Sequence, residues 1–368
     1  MVAERTLVVK DQRILELIRE NPFITQQELS EKLGLSRSAV AGYISTLTKR
    51  GEIVGRAYVL KEESKITCIG GANIDRKTRT LSPVQYGTSN PASSVQGCGG
   101  VARNVAENLG RLSSDVSLIT LTGDEQDGAW LLKETKEHGV DVTQSITVNN
   151  EKTGTYTSIL DESGELVLAV ADMNIYEHFS PELLEARWSH IASSEVIFAD
   201  TNLPEVTLSY LIERVEKEER SLWVHTVSTP KTKRLPQNLS GIEVLFVTRE
   251  EAAELTETEI HSMEECRKAA ELLSGRGVSN VIIHLETEGV FVRQNSGEEA
   301  FVEPSVETWV DGTGVKEAFI GGMLFGRTHE KSFHDSVRVG MAASNQTWQT
   351  EETVADLTTE QLNENIRN

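Results

Sequence analysis

Residues 310–322 read Val310-Asp311-Gly312-Thr313-Gly314-Val315-Lys316-Glu317-Ala318-Phe319-Ile320-Gly321-Gly322, a glycine-bearing turn that runs into an apolar helix. The acidic Glu317 falls in the first turn of that helix. The first backbone N–H groups of a helix have no partner within it and lie at its positive end, so such a turn is suited to binding phosphate. A helix-capping turn without a ligand is the alternative interpretation of the same residues.

Length and composition bound the class of protein. The 368 residues suffice for one small and one large domain, and 38% hydrophobic with 25% charged residues is typical of a soluble globular protein. Apolar runs stay well below the roughly 18 residues of a membrane span, and Met1–Lys10 lacks the apolar core of a signal peptide, so we expect a cytoplasmic protein. The three cysteines are scattered without Cys-x-x-Cys spacing, which argues against a disulfide framework and against a zinc site.

The net charge of −21 is unevenly distributed. Residues 1–60 carry nine Lys/Arg and seven Asp/Glu, a net charge of +2, which leaves −23 for the remainder. A weakly basic head on a strongly acidic body indicates that only the head can approach nucleic acid. Chance fluctuation in a short segment would give the same numbers, so charge alone does not decide the point.

The head has the pattern of three helices followed by a hairpin. An apolar stripe over 14–18 predicts a helix that ends at Asn21-Pro22, where proline prevents continuation. A capping box, Thr25 to Glu28, opens a second helix that ends at Gly34. Ser36 caps a third helix that runs to Arg50, and residues 51–60 alternate like a short hairpin. This order resembles a winged helix-turn-helix and predicts a DNA-binding domain over residues 1–62.

The third helix of such a domain enters the major groove through its N-terminal face. We therefore expect Arg37, Ser38 and Ala41 to face bases or phosphates of double-stranded DNA. Lys49, Arg50 and Arg56, at the helix end and on the wing, are expected to hold the phosphate backbone. A winged helix used for dimerisation or another protein contact is the alternative.

The body alternates strands with helices, which predicts an α/β sandwich around a mostly parallel sheet. The predicted strands are 65–69, 116–121, 196–199, 222–225, 244–247 and 280–284, and the predicted helices include 207–217, 262–275 and one opened by Gly99-Gly100. Two further strands, 153–160 and 165–170, are joined by Asp161-Glu162-Ser163-Gly164 and form a hairpin that is not part of the strand–helix alternation.

Several segments in the right order make residues 65–365 resemble the ribokinase-like (phosphofructokinase-B) kinases, and most closely the bacterial pseudouridine kinases. They are 310–322, Gly70–Asp75, Gly99–Leu109, Thr153–Tyr156 and Ala171–Tyr176. The resemblance implies a ribokinase-like three-layer sandwich with a mostly parallel sheet and a small β lid over residues 63–368. In that family the lid strands often also form a dimer interface, which implies a homodimer.

Carried over to this chain, the resemblance implies a substrate side and a catalytic turn. Asn73 and Asp75 would grip ribose hydroxyls, Gly99 and Gly100 would let the backbone approach the sugar, and Asn104 would add a hydroxyl contact. Gly312 and Gly314 would form the anion-binding turn. Glu317 would stand where the family has its aspartate base, with Lys316 where the family has glycine.

The side that would bind ATP and Mg²⁺ departs from the family. The usual Asn-x-x-Glu, whose acid organises magnesium, is here Thr248 to Glu251, and the usual Thr-Leu-Gly turn reads His284-Leu285-Glu286, with Gly289 following. Like charges 4 Å apart cost about 4 kcal/mol at an effective dielectric of 20, so Glu286 disfavours a triphosphate. A strand end that usually reads Asp-Pro-Val-Ser is residues 225–228, His-Thr-Val-Ser.

Two hypotheses remain. In the first, the body binds a nucleoside, phosphotransfer is weak or lost, and occupancy changes how the head binds DNA. In the second, the chain is an active ATP-dependent pseudouridine or sugar kinase that phosphorylates a ribose hydroxyl, with the head as an attachment. The residues that discriminate between them are Thr248, Glu286, Lys316 and Glu317.

Overall fold

The structure is a computed structural model that describes residues 2–21, 24–54, 65–305 and 309–362. The chain divides into two compact units. One unit comprises Met1–Lys65 together with Glu182–Glu195, and the other comprises Ile66–Pro181 together with Val196–Asn368. Residues 55–64 lie outside the described residues, so the boundary at 62/63 and the wing hairpin with Arg56 stay predictions.

The first unit contains the three helices predicted for the head, namely α1 (Val2–Glu20), α2 (Gln26–Leu33) and α3 (Arg37–Lys49). Local capping sets their ends. Thr25 and Glu28 form the reciprocal capping box, Gly34 ends α2 in the left-handed conformation, and the Ser36 hydroxyl accepts a hydrogen bond from the backbone of Ala39. The apolar stripes of the helices meet in a core of Ile14, Leu17, Ile18, Ile24, Leu29, Val40, Ile44, Leu47 and Ile53.

The second unit is built on an eight-stranded sheet. Its strands are β1 (Ile66–Ile69), β4 (Val116–Ile119), β9 (Val196–Asp200), β10 (Ser221–His225), β11 (Val244–Thr248), β12 (Asn280–His284), β13 (Val290–Arg293) and β14 (Glu299–Val302). They lie in the order β14-β13-β12-β11-β10-β9-β1-β4, and every pairing is parallel except the two made by β13. The predicted mostly parallel sheet is therefore confirmed.

Both faces of this sheet are covered, as a parallel sheet requires. The helices of the unit are α4 (Val101–Arg111), α5 (Gln126–Glu137), α8 (Glu205–Lys217), α9 (Arg249–Thr256), α10 (Met263–Gly275), α11 (Val315–Thr328) and α12 (Phe333–Thr347). Cys68, Phe198, Trp223 and Phe246 belong to the core shared with α4, α11 and α12, while the alternate strand residues are buried as well. The short helices α6 (Pro181–Glu185) and α7 (Trp188–Ile191) belong wholly or mainly to the first unit.

A separate four-stranded sheet contains the hairpin predicted from sequence. Its strands are β2 (Asn73–Thr80), β3 (Ala92–Gly99), β7 (Thr155–Leu160) and β8 (Leu166–Asp172), in the order β3-β2-β7-β8, and we call it the lid sheet. Strands β2 and β3 were not predicted, because β2 pairs with β7 about 80 residues away and its sequence is mostly polar. The short strands β5 (Leu121–Gly123) and β6 (Ile146–Val148) form a third sheet, so the single strand expected over 116–121 is in fact two.

Candidate functional site

The carboxyl ends of the parallel strands converge on one edge of the large sheet, where open α/β sheets bind ligands. Gly70-Gly71 follows β1, Asp200 ends β9, His225 ends β10, Thr248 ends β11 and His284 ends β12. This topology brings together the segments that the sequence placed on the substrate side and on the donor side.

A cavity of about 950 Å³ opens beneath the lid sheet. It reaches from Asp75 and Lys77 of β2 to Asp311, Gly312 and Thr313 of the glycine-bearing turn. Its size is at the upper end of the range for small-molecule sites, about 300–1,000 Å³. One ligand can therefore touch both Asp75, a predicted substrate residue, and the predicted catalytic turn.

Asp75 is the best organised residue of the substrate side. The side-chain amide of Asn73 donates a hydrogen bond of 2.6 Å to its carboxylate. A Cβ on Gly99 would overlap that carboxylate, so this glycine makes room for Asp75 rather than, as the sequence suggested, for the sugar itself. Burial raises the pKa of Asp75 to about 6, with a further contribution from the nearby Glu317 carboxylate, while Asn73 and Arg103 oppose the shift.

Gly100 and Asn104 are the other predicted residues of the substrate side. Gly100 has φ of 102° and no space for a Cβ, because the backbone of Gly71 and Ala72 lies against it. Asn104 is buried in the first turn of α4, and its side-chain oxygen accepts a hydrogen bond of 3.1 Å from Arg103. The structure thus brings Asn73, Asp75, Gly99 and Gly100 together, and leaves Asn104 engaged with a protein neighbour.

Asp200 organises the substrate side, and sequence reasoning missed it. It is fully buried, and its carboxylate accepts hydrogen bonds from the backbone N–H groups of Gly71 (2.9 Å), Ala102 (3.0 Å) and Asn202 (2.8 Å). Burial raises its pKa. The available signal was an aspartate directly after an apolar strand, which says nothing about partners more than 90 residues away.

The glycine-bearing turn is organised by Asp311. Its carboxylate accepts hydrogen bonds from the backbone N–H (2.8 Å) and the hydroxyl (2.7 Å) of Thr313. Gly314 then starts α11 with φ of 81°, where a Cβ would overlap the carbonyl of Thr353. Gly314 has no side chain, so the cap position itself gives the first N–H groups of α11 no side-chain partner.

Glu317 lies in the first turn of α11 with only 8% of its surface exposed. Burial raises its pKa, the Lys316 ammonium opposes that shift, and the carboxylates of Asp200 and Glu251 reinforce it. Glu317 in turn contributes to the raised pKa of Asp75, so these two carboxyl groups are close enough to interact. The predicted base is therefore present as a buried carboxyl near the predicted substrate residues.

The predicted magnesium ligand Glu251 is occupied by protein contacts. One of its oxygens accepts hydrogen bonds from the Thr226 hydroxyl and from the backbone N–H of Thr248 (2.8 Å). Thr248 returns the bond through its own hydroxyl, which accepts from the Glu251 backbone at 3.3 Å, so the two residues form a capping box for α9. The replacement of the family's amide by threonine thus gives a helix cap.

The turn after β12 places Glu286 in the left-handed conformation, with φ of 48°. Conformations of this kind cost residues other than glycine about 1–2 kcal/mol. Gly289, with φ of 130°, has no room for a Cβ because the carbonyl of Val302 lies against it. Val227, on the loop after β10, also has positive φ, 56°, and donates its N–H to the His225 imidazole at 2.8 Å.

Two imidazoles and a lysine surround a small pocket at the donor side. His225, His284 and Lys316 line it together with Phe246 and Phe319. Burial and the neighbouring Lys316 cation lower the pKa of both imidazoles to about 3, so they are neutral at pH 7. Lys231, which sequence reasoning also missed, donates from its ammonium to the Asn202 side chain, and burial lowers its pKa.

The surface predicted to bind DNA lies on α3. Arg37, Ser38 and Lys49 are exposed and Ala41 is half-buried. The Arg50 guanidinium lies between two carboxylates, with Asp11 at 2.9 Å and Glu52 as its second partner. Most of the charge of Arg50 is therefore balanced within the unit.

Comparison with known families agrees with this division of the chain. Residues 63–360 match the profile of the pfkB family carbohydrate kinases, and residues 9–54 match a winged helix-turn-helix DNA-binding profile. The described residues contain no helix long and apolar enough to cross a membrane.

Individual related proteins agree with these two profile matches. An uncharacterized sugar kinase of Escherichia coli K12, YeiI, is 31% identical over 337 residues, which cover 91% of this chain and 92% of the relative. The pseudouridine kinase of the same organism is 29% identical, covering 77% of this chain and 90% of its own. A carbohydrate kinase structure from Agrobacterium tumefaciens superposes with a TM-score of 0.72 at 30% identity, covering 82% and 97% of the two chains. The resemblance inferred from the motifs, and the ribokinase-like fold class, are confirmed.

Proposed function

We propose a function for this chain, which belongs to the pfkB family of carbohydrate kinases and carries a winged helix-turn-helix head: it is a nucleoside-responsive DNA-binding regulator with weak or lost phosphotransfer. The observation that carries the proposal is the contrast within one sheet edge. Asp75 accepts a hydrogen bond from Asn73, has room beside Gly99 and lines the cavity, whereas one oxygen of Glu251 is hydrogen-bonded to its own neighbours.

The ligand class that fits the cavity is a ribose-bearing nucleoside. A carboxylate accepts hydrogen bonds from hydroxyls, and the adjacent amide can donate or accept, so Asp75 with Asn73 suits a vicinal diol. The similarity to the pseudouridine kinase of E. coli supports pseudouridine as the first ligand to test.

Magnesium and ATP do not fit the donor side as it is built. One of the two Glu251 oxygens accepts two protein hydrogen bonds and is committed to the protein. Glu286 adds a negative charge where the family's glycine would admit a triphosphate.

A specific observation favours the second hypothesis, an active kinase. Glu317 is buried, its pKa is raised, and it lies near Asp75. A carboxylate with a raised pKa is a suitable general base near neutral pH, and it could accept the proton of a ribose hydroxyl. Because the side chain of Glu is one methylene longer than that of Asp, the oxygens are displaced by about 1.5 Å from the family's position, and about 1 Å can cost 100-fold in rate.

The winged helix-turn-helix profile of the head supports double-stranded DNA as its partner, and a cytoplasmic location is part of the same proposal. Exposed Arg37 and Lys49 flank the two ends of α3. Removal of one cation that neutralises a DNA phosphate should lower the slope of log K against log salt by about 0.9. In the full chain, we expect Arg37→Ala/Lys49→Ala to lower the slope by about 2, whereas Arg13→Ala on α1 leaves it unchanged. A DNA affinity that does not change with salt concentration would exclude the DNA assignment.

The lid sheet supports a homodimer. Leu168 and Val170 of the edge strand β8 are more than half exposed. Exposed apolar side chains on an edge strand favour pairing with a second copy. Sedimentation of the wild type and of Leu168→Lys/Val170→Lys tests this, with a dimer expected only for the wild type.

Two assays on one preparation test the main proposal. Calorimetry measures binding of pseudouridine, uridine and ribose, and a phosphate-transfer assay with Mg-ATP measures turnover of the same ligands. Ligand binding without transfer supports the regulator, and binding with ordinary turnover supports the kinase. If none of the three ligands binds at millimolar concentration, the nucleoside interpretation fails.

A further inference from the structure

An ion pair joins the lid sheet to the glycine-bearing turn. The Lys77 ammonium on β2 lies 3.2 Å from the Asp311 carboxylate, across 234 residues of sequence. The Lys77 side chain is 50% exposed and that of Asp311 24%. Both residues line the cavity, so the contact spans its mouth.

The two oxygens of Asp311 serve different elements. One accepts both hydrogen bonds from Thr313 and so shapes the turn that starts α11, while the other accepts from Lys77. Although burial alone would raise it, the hydrogen bonds from Thr313 and Lys77 hold the pKa of Asp311 below its usual value. The carboxylate therefore stays charged at neutral pH and keeps both partners.

Lys77 is well placed within the lid for this contact. It stands two residues after Asp75 on β2. Lys77 pairs with Ser158 of β7 and Asp75 pairs with Tyr156, and both of these partners also line the cavity. The next residue in that alternation, Arg79, donates instead to the carbonyl of Glu162 on the lid's own hairpin. Lys77 thus connects the lid to the turn, whereas Arg79 stays within the lid.

We propose that Lys77 is a positioning residue that fastens the lid sheet to the glycine-bearing turn, and so sets how long a ligand stays in the cavity and how well the turn is ordered. The first part rests on the proposed nucleoside binding, and the second does not. We expect a ligand held by Asp75 to leave more slowly while the Lys77–Asp311 contact is closed.

Stopped-flow binding of pseudouridine to the full chain tests the first part, with fluorescence of Trp130, which lines the cavity, as the signal. We expect Lys77→Met to raise the dissociation rate about two- to fivefold, the range for a partly exposed ion pair. The association rate should change little, and Lys77→Arg should restore the wild-type value. Added salt should speed dissociation from the wild type and not from Lys77→Met.

Two variants separate the contact from a general loss of charge. Arg79→Met removes a cation from the same strand and should leave the dissociation rate unchanged. Asp311→Asn keeps an oxygen for Thr313 but loses the charge facing Lys77, so Lys77→Met should have no further effect in its background. Equal dissociation rates for Lys77→Met and the wild type would overturn the first part.

Amide hydrogen exchange of the ligand-free chain tests the second part. Lys77→Met is expected to speed exchange at Thr313, whose N–H is bonded to Asp311, and Arg79→Met is not. Unchanged exchange at Thr313 in Lys77→Met would overturn the proposal even if pseudouridine proves not to be the ligand. Failure of the wild type to bind pseudouridine, with faster Thr313 exchange in Lys77→Met, would instead count only against the nucleoside assignment.

Discussion

The substrate side and the donor side of this sheet edge are built from equivalent strand ends, yet their polar groups have different partners. On the substrate side, a fully buried carboxylate, Asp200, holds the backbone in place and leaves Asp75 directed at the cavity. On the donor side, Glu251 and Thr248 form hydrogen bonds with each other, and Glu286 has the left-handed backbone conformation. In the proposed function, the fold keeps ligand recognition while the residues for a second substrate are structural.

The largest effect is expected at the residue that most clearly belongs to the substrate side. Asp75→Ala should weaken pseudouridine binding by on the order of 100-fold, because hydrogen bonds to a charged group contribute about 1.5–3 kcal/mol each. Calorimetry measures the change. The control is Asp356→Ala, since that carboxylate is 89% exposed. Equal affinity of the Asp75→Ala variant and the wild type would show that the ligand does not contact this side.

A glycine on β3 sharpens the same point. In Gly99→Ala the new Cβ would overlap the Asp75 carboxylate and displace it, so we expect at least a tenfold loss of nucleoside affinity in a folded protein. Gly275→Ala, at the end of α10 and outside the cavity lining, meets open space and should bind like the wild type. Similar affinities for the two variants would mean that the position of Asp75 does not control binding.

The pH dependence of binding follows from the raised pKa of Asp75, about 6. In the free protein, ionisation of Asp75 is disfavoured by folding, so its contribution to stability is greatest at low pH and falls as pH rises towards 6. Ligand hydroxyls need the ionised carboxylate, so affinity should fall as pH drops below about 6. Calorimetry between pH 5 and 8 checks this, and Asp75→Asn should remove the dependence. A fall that persists in Asp75→Asn would point to Glu317 instead.

The smallest effect concerns backbone strain on the donor side. Glu286→Gly relieves the left-handed conformation and should raise stability by about 1 kcal/mol, a few degrees in Tm. Glu288→Gly, two residues on at a position without positive φ, should lower stability instead. Thermal unfolding of both variants gives the comparison. A destabilised Glu286→Gly would mean that the glutamate contributes interactions that outweigh its strain.

The sequence predicted those features whose causes are local. The caps at Thr25, Ser36 and Gly34 act within a few residues, and the predicted bounds of α2 and α3 agree with the structure to within a residue. The parallel strands are predictable because each is an apolar run. The family motifs assigned Asp75, the glycine-bearing turn and Glu317 to one site; in the structure Asp75 and the turn line one cavity, and Glu317 is close enough to Asp75 to raise its pKa.

Strand β2 and the contacts of Asp200 and Lys231 were missed because they depend on distant partners. Strand β2 is polar and is a strand only because it pairs with β3 and β7. Asp200 and Lys231 have no local pattern that reveals their contacts. In the sequence, Thr248 was recognised only as the residue that replaces the asparagine of the family's Asn-x-x-Glu motif. The cap that it forms with Glu251 follows from the same three-residue spacing that predicted the capping box in the head.

One measurement tests the central claim, that the substrate side binds a nucleoside while the donor side does not support phosphate transfer. Phosphate transfer from Mg-ATP to pseudouridine is compared between the wild type and a variant with Thr248→Asn, Glu286→Gly, Lys316→Gly and Glu317→Asp together, since residues acting as a unit are not additive. The account predicts that the wild type binds pseudouridine with little turnover and that the fourfold variant is faster. A wild type that already turns over at an ordinary rate, about 1–10³ per second, and is not improved by the four changes would contradict it.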